Sequence, residues 1–189
     1  PSGCGETGNE KKGEVRHKAG CRRPRTSGFD FAEGAVHAVR AVLPGMLDRG
    51  EGYLLHTASM AGVLSSHGNL PYAVSKHAVV GLAEWLAFTY AHLGIRVSLL
   101  APLAVRTPML GDAADGEWAN QAGGPIKEPA EVAQQVLDAI TMERFLILTD
   151  SIAQTWMERK TADPDRWLRG MSRLQQRLEG VDDAGLPEN

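Results

Sequence analysis

Residues 53–76 read YLLHTASMAGVLSSHGNLPYAVSK, and this stretch decides the fold. It begins with a mostly apolar run, 53–58, which has the length and composition of a strand buried inside a sheet. The segment 59–70 is rich in Gly, Ser and Asn and predicts a loop. Pro71 then opens a long, mostly apolar run to residue 93, which predicts a helix.

The same alternation of helix and strand extends on both sides of this stretch. Upstream, residues 30–48 predict a helix that Pro44 ends or kinks in its last turn. The apolar stripe of that helix consists of Phe31, Ala35, Ala38, Val39, Val42 and Met46. Continuous apolar strands indicate a parallel sheet that is covered on both faces. The sequence therefore predicts an α/β fold with further strands at 95–101 and 145–149, helices at 129–140, 151–160 and 164–179, and a long loop at 108–127.

The first 28 residues differ from the rest of the chain. They carry seven Lys/Arg and three Glu, a net charge of +4, in a chain whose net charge is −3. With a single large aliphatic residue, Val15, they offer too little apolar surface to offset the entropy of ordering. We interpret 1–28 as a disordered basic tail, 29–180 as the folded domain and 181–189 as a C-terminal tail.

Composition also bears on partners and location. No apolar run approaches the roughly 18 residues of a membrane span, and the first residues lack the apolar core of a secretory signal, so no membrane partner is expected. Two cysteines, Cys4 and Cys21, argue against a disulfide framework and favour a cytoplasmic location. His56, His67 and His77 lack metal-ligand spacing, so no metal is expected; His67 either lines a substrate pocket or is a solvated loop residue. The basic tail is the one feature that favours a nucleic-acid partner, and we predict none.

Polar residues follow the ends of the predicted strands. In open parallel sheets ligands bind beyond the carboxyl ends of the strands, so residues placed there are candidates for chemistry. Ser59 follows the first strand, and the segment 102–107 (PLAVRT) follows the second. Tyr72 and Lys76 are four residues apart on the intervening helix, which puts both side chains on one face.

Tyr72 and Lys76 together suit acid–base catalysis. A free phenol titrates near ~10, so it is a poor base at neutral pH. An ammonium about 5 Å away, at an effective dielectric of about 20, favours the phenolate by about 3 kcal/mol. Ser59 can donate to a substrate oxygen and orient it toward Tyr72. A hydrolase is not indicated, because Thr57 and Ala61 stand where a G-x-S-x-G motif needs glycine.

These motifs resemble those of the short-chain dehydrogenase/reductase family. That family has a serine after its fifth strand, a Y-x-x-x-K on the following helix and a P-G-x-V-x-T segment after its sixth strand. The matching positions are Ser59, Tyr72, Lys76, Pro102, Val105 and Thr107. Leu103 replaces the glycine of the third motif. The resemblance is close over residues 34–109 and looser to about residue 180.

The resemblance implies a Rossmann-like, doubly wound parallel sheet and an oxidoreductase that uses NAD or NADP. The reaction would move a hydride between the nicotinamide and a small alcohol or carbonyl substrate. Ser59, Tyr72 and Lys76 would be the catalytic residues, with Tyr72 as the acid/base. In the family the helices that match 30–48 and 72–93 pack against a second subunit, so the resemblance also implies a homo-oligomer.

The same resemblance implies which residues bind the cofactor. Tyr72 and Lys76 would contact its nicotinamide end, with Lys76 on the ribose. The third motif would hold the carboxamide through Thr107, with Pro102 and Val105 beside it.

The motifs of the family's first half do not occur in these 189 residues. Neither T-G-x-x-x-G-x-G nor N-N-A-G is present, and Phe31 or Asp30 stands where the family's fourth helix has an asparagine. We therefore expect an incomplete sheet that lacks the first βαβαβ half, an exposed apolar edge at 53–58, and weak cofactor binding without useful turnover. The alternative function is that of a catalytically inactive, truncated remnant that acts only through oligomerisation.

Overall fold

The computed structural model of the chain describes residues 30–110 and 124–179. The elements in chain order are α1 (Asp30–Arg49), β1 (Gly52–Thr57), α2 (Ala61–Leu64), α3 (Leu70–Tyr90), a 3₁₀ turn (Ala91–Leu93), β2 (Ile95–Ala101), α4 (Pro129–Thr141), β3 (Leu146–Leu148), α5 (Ser151–Ala162) and α6 (Pro164–Leu178). The predictions for the tails 1–28 and 181–189, and for the middle of the loop 108–127, lie outside the described residues.

The three strands form one parallel sheet in the order β1-β2-β3. Gly52 is aligned with Ile95 at the start of β1, and Leu99 is aligned with Leu146 where β3 joins. The predicted α/β architecture is confirmed, and the sheet corresponds to part of a Rossmann-like fold. Within the described residues β1 lies at one edge of the sheet, as the sequence led us to expect.

Two layers of helix cover the sheet. On one face α1 and α3 pack against apolar side chains of β1 and β2, and the buried members of this cluster include Val39, Leu43, Leu54, Val79, Ala83, Leu86, Ile95, Val97 and Leu99. On the other face α4 packs Val132 and Ala139 against Leu100 and Ile147. The sheet is therefore held between helices, and its carboxyl edge is left for the loops that follow β1 and β2.

β1 is covered on one face only. Leu54 and His56 are buried against α1 and α3, whereas Thr57 is exposed and Leu55 keeps 41% of its surface exposed. The prediction that this strand is buried on both faces is wrong within the described part of the chain, because α4 reaches only β2 and β3. An apolar groove of about 270 Å³ runs between α1 and this edge strand.

Helix α1 has its predicted bounds to within one residue, whereas part of its predicted apolar stripe is exposed. Val39 and Leu43 are buried, whereas Phe31 and Val42 are 48% and 43% exposed, because they border the open groove. The helix continues through Pro44 to Arg49, so of the two effects expected of Pro44 the ending of the helix does not occur, and a kink stays a prediction. Proline lacks one N–H donor, but the packing of Leu43 and its neighbours against the core holds the final turn.

The predicted loop 59–70 contains a short helix, α2, that the sequence did not indicate. The hydroxyl oxygen of Ser59 accepts the N–H of Ala61 at 3.1 Å, and the carbonyl of Met60 accepts the N–H of Leu64 at 2.7 Å. Ala61, Gly62 and Leu64 are buried. A single turn is too short to show helical periodicity, so it can be found only from its packing against α3.

The C-terminal helices pack beside the carboxyl edge of the sheet. Asp163 is the N-cap of α6, since its side chain accepts the N–H of Arg166 at 2.9 Å. Helix α6 packs inward through Trp167, which lies against Met60, Leu64 and neighbouring side chains. Within residues 30–110 and 124–179, no helix is long and apolar enough to cross a membrane.

Candidate active site

Two loops meet at the carboxyl edge of the sheet. The N–H of Ala58 donates to the carbonyl of Leu100 at 2.8 Å, and the N–H of Met60 donates to the carbonyl of Pro102 at 3.0 Å. These bonds continue the pairing of β1 with β2 beyond the ends of both strands. They therefore hold half-buried Ser59 beside the start of the segment 102–107.

Helix α3 is fixed at the end that carries Tyr72. Its N-cap is Asn69, whose side-chain oxygen accepts the N–H of Tyr72 at 3.1 Å. One turn further on, the fully buried Ser75 donates its hydroxyl to the carbonyl of Tyr72 at 2.9 Å. Pro71 occupies the first turn, where its missing N–H costs nothing. The backbone of Tyr72 is thus held from both sides.

A close approach of α2 to α3 sets the distance between Ser59 and the helix that carries Tyr72. A methyl group added to Gly62 would lie 2.5 Å from the carbonyl oxygen of Lys76 and 3.0 Å from Val80. That space is filled by backbone, so glycine is required at this position. The tight packing carries any shift of α3 directly to the loop that holds Ser59.

The ammonium of Lys76 lies between three groups. It donates to the carbonyl of Thr57 at 3.2 Å, lies 4.4 Å from the ring centroid of Phe31, and lies 5.6 Å from the ring centroid of Tyr72. Only 6% of Lys76 is exposed, and burial lowers its pKa from the usual value. The aromatic face opposes this effect, because a ring within about 6 Å stabilises a cation by about 1–2 kcal/mol.

Lys76 therefore lies beside both Tyr72 and the end of β1, and the catalytic roles predicted for Ser59, Tyr72 and Lys76 stay predictions. Thr57, which accepts from Lys76, precedes Ser59 by two residues, so the three candidate catalytic residues belong to one connected part of the structure. Tyr72 and Lys76 supply a phenol and an ammonium, and the hydroxyl of Ser59 belongs to the loop that begins just after Thr57. Such a set can hold and transfer a proton at an oxygen of a bound ligand.

The segment 102–107 runs away from this centre toward α4. Leu103 donates its N–H to the hydroxyl of Thr149 at 3.3 Å, and Val105 forms a parallel bridge with Lys127. Thr107 is exposed, and its carbonyl accepts the N–H of Leu110 at 3.0 Å. Within residues 30–110 and 124–179 no hydrogen bond links Thr107 to Tyr72, so the role of Thr107 in binding a cofactor stays a prediction.

Sequence reasoning missed part of the surroundings of Tyr72. Phe31 stands over Lys76 and meets the ring of Tyr72 edge-on, with centroids 6.4 Å apart and planes at 89°. The sequence marked this position as part of the apolar stripe of the first helix and by the lack of an asparagine, but gave no sign of its contact with Lys76. Asn69 as the N-cap could have been found from its place before Pro71, because Asn followed by an early Pro is a helix-start signal.

His67 is not the solvated loop residue that one reading of the sequence suggested. Its Nδ1 donates to the side-chain oxygen of Gln175 at 2.8 Å, which joins the loop after α2 to α6. Its Nε2 is buried and has no hydrogen-bond partner within the described residues, as is also true of Ser66 Oγ and Trp167 Nε1. No group of three His, Cys, Asp or Glu in the described ranges could hold a metal ion.

Comparison with known proteins gives a consistent result. A family model described as short chain dehydrogenase matches residues 32–118. The chain is 38% identical over 122 residues to 1-deoxy-11-beta-hydroxypentalenate dehydrogenase of Streptomyces exfoliatus, an alignment that covers 63% of this chain and 43% of the relative. It is 35% identical over 114 residues to oxidoreductase UcpA of Escherichia coli K12, covering 60% of this chain and 41% of that protein.

Solved structures show the same fold. A short chain dehydrogenase/reductase from Burkholderia phymatum in complex with NAD superposes with a TM-score of 0.59 at 29% identity, over 71% of this chain and 56% of that one. A short chain dehydrogenase from Burkholderia cenocepacia in complex with NADP gives a TM-score of 0.60 at 20% identity, over 77% and 56%. The chain spans about two fifths of the length of the curated relatives. The motif-bearing part of this chain, residues 32–118, matches the short-chain dehydrogenase/reductase family.

Proposed function

We propose that this chain carries the acid–base centre of an NAD- or NADP-dependent oxidoreductase that acts on an alcohol or carbonyl. The observation that supports this most strongly is the position of Lys76. Its ammonium is buried 5.6 Å from the ring of Tyr72 and bonded to the carbonyl of Thr57, next to the loop of Ser59. Dehydrogenase relatives and NAD(P)-bound neighbours are consistent with this proposal.

In the proposed mechanism each residue has one task. The hydroxyl of Tyr72 gives a proton to the carbonyl oxygen during reduction and takes it back during oxidation. Lys76 supplies a fixed positive charge that favours the phenolate when the proton has left. Ser59 donates to the substrate oxygen and orients it toward Tyr72.

The donor set around Tyr72 fits one end of a nicotinamide cofactor. Lys76 uses one of its N–H groups on the carbonyl of Thr57, and its other donors could reach a ribose hydroxyl. Pro102, Val105 and Thr107 would hold the carboxamide. When bound, a nicotinamide accepts or donates the hydride. No glycine-rich T-G-x-x-x-G-x-G sequence is present to cradle the pyrophosphate, and the sequence gives no basis for choosing NAD over NADP.

Separate measurements of binding and turnover test these roles. Tyr72→Phe should remove most of the slow hydride transfer expected of this chain and should change the Kd for reduced cofactor, followed by nicotinamide fluorescence, by less than about twofold. Lys76→Met should weaken binding about tenfold or more, because it removes a charge-assisted hydrogen bond as well as the charge. Full turnover in Tyr72→Phe would show that the assigned acid–base role is wrong.

A second candidate function is self-association through α1 and α3, and the exposed side chains on these helices favour it. On α3, Trp85 and Phe88 are 49% and 70% exposed, and on α1, Val42 is 43% exposed. Phe88→Lys should convert an oligomer to monomer, as measured by light scattering after gel filtration. Leu137→Lys on α4, at a position that is 59% exposed, is the matched control and should leave the molar mass unchanged.

A further inference from the structure

Phe31 contacts both members of the Tyr72–Lys76 pair from a different helix. Its ring centroid lies 4.4 Å from the ammonium of Lys76 and 6.4 Å from the ring centroid of Tyr72. Phe31 is 48% exposed, whereas Lys76 is 6% exposed. The phenylalanine ring is therefore a cover on the solvent side of a buried charge.

An aromatic ring at this place has a specific chemical consequence. Its face attracts a cation, but the ring has no group that accepts or passes on a proton. The carbonyl of Thr57, which accepts from Lys76 on another side, has no proton to give. Lys76 is thus held by two groups that favour the ammonium form, and neither connects it to a chain of exchanging protons.

We propose that Phe31 is a positioning residue that fixes Lys76 as a stationary positive charge beside Tyr72 and shields it from solvent. This inference rests on the proposed function, because the charge of Lys76 matters for catalysis only if Tyr72 is the acid/base. The contact between Phe31 and Lys76 can be tested without any substrate or cofactor. Lys76 then acts on Tyr72 through its charge.

Two substitutions distinguish the effect of the aromatic ring on Lys76 from the effect of any apolar side chain of similar size. Phe31→Tyr keeps the ring, and Phe31→Leu keeps an apolar cover without it. In NMR spectra of the full chain, the ε-methylene protons of Lys76 should be shifted upfield by the ring in the wild type and in Phe31→Tyr. They should return to the range of the other lysines in Phe31→Leu. Phe88→Leu, an equal change at an exposed position on α3, is the matched control and should leave the Lys76 signals in place.

Acylation of Lys76 by sulfo-N-hydroxysuccinimide acetate, quantified by mass spectrometry, measures the shielding. Loss of a cation–π contact of ordinary strength should raise the Lys76 rate about fivefold in Phe31→Leu, with the rate at Lys160 as an internal control. Unchanged shifts or unchanged acylation in Phe31→Leu would overturn the proposal, as would loss of the upfield shift in Phe31→Tyr. Failure of the proposed function would appear separately, as absent hydride transfer in a chain whose Lys76 is still shielded.

Discussion

The packing of α2 on α3 makes Gly62→Ala the most informative test of stability. The added methyl would lie 2.5 Å from the carbonyl oxygen of Lys76, whereas ordinary contact begins at 3.4 Å. One of the two backbones must therefore move by about 0.9 Å, and overpacking of this kind costs about 1–3 kcal/mol. Alanine also gains up to about 1 kcal/mol in helix propensity over glycine, so we expect a net loss of about 1–2 kcal/mol in the free energy of unfolding.

Gly81→Ala is the matched control for this change. Gly81 lies in the interior of α3, and nothing lies within 4 Å of the position its methyl would take. There the helix propensity acts alone and should stabilise the chain by up to about 1 kcal/mol. Urea unfolding followed by circular dichroism measures both variants. A Gly62→Ala chain as stable as Gly81→Ala would refute the close packing that positions Ser59.

Two further predictions concern the buried histidine of β1 and the start of α6. Burial lowers the pKa of His56, so the unfolded chain takes up a proton at a higher pH than the folded chain does. The free energy of unfolding should therefore fall as the pH drops below 6.5. His56→Gln should flatten this dependence in urea titrations on both sides of that pH, whereas His92→Gln, at an exposed position, should not. Asp163→Ala should destabilise the chain by about 1 kcal/mol, because the N–H of Arg166 loses its acceptor, whereas Asp165→Ala in the same turn should have a smaller effect on the urea midpoint.

The strands and the helices that flank them could be predicted from sequence. Strands such as 95–101 are continuous apolar runs bounded by glycine or proline, and this signal is strong when the strand is buried on both faces. The αL conformation of Gly94, with φ of 82°, ends the helical region where the sequence indicated. Local chemistry therefore determines these boundaries, and tertiary packing moves them by only a few residues.

Features that depend on packing between distant segments could not be predicted. Helix α2 is one turn long and exists because its apolar side chains and Gly62 pack on α3. The exposure of Leu55 depends on how far α4 reaches across the sheet, which no local pattern records. The position of Phe31 over Lys76 joins residues 45 apart in sequence, and a lone aromatic residue at the start of a helix gives no signal for such a contact.

The central claim is that Tyr72 and Lys76 form the acid–base pair of a hydride-transfer reaction, and this transfer can be measured directly. Reduced nicotinamide cofactor, deuterated at the transferable hydrogen, is incubated with the chain and a panel of ketones and aldehydes, and the alcohol products are analysed by mass spectrometry. We expect slow transfer, because the sequence lacks the glycine-rich phosphate turn, and mass spectrometry detects it at high cofactor concentration. Deuterium should appear in the product with the wild type and with Tyr90→Phe, the same change at the other end of α3, and should fall by about 100-fold or more with Tyr72→Phe. Equal deuterium in the product of Tyr72→Phe, or none with any form of the chain, would contradict the account.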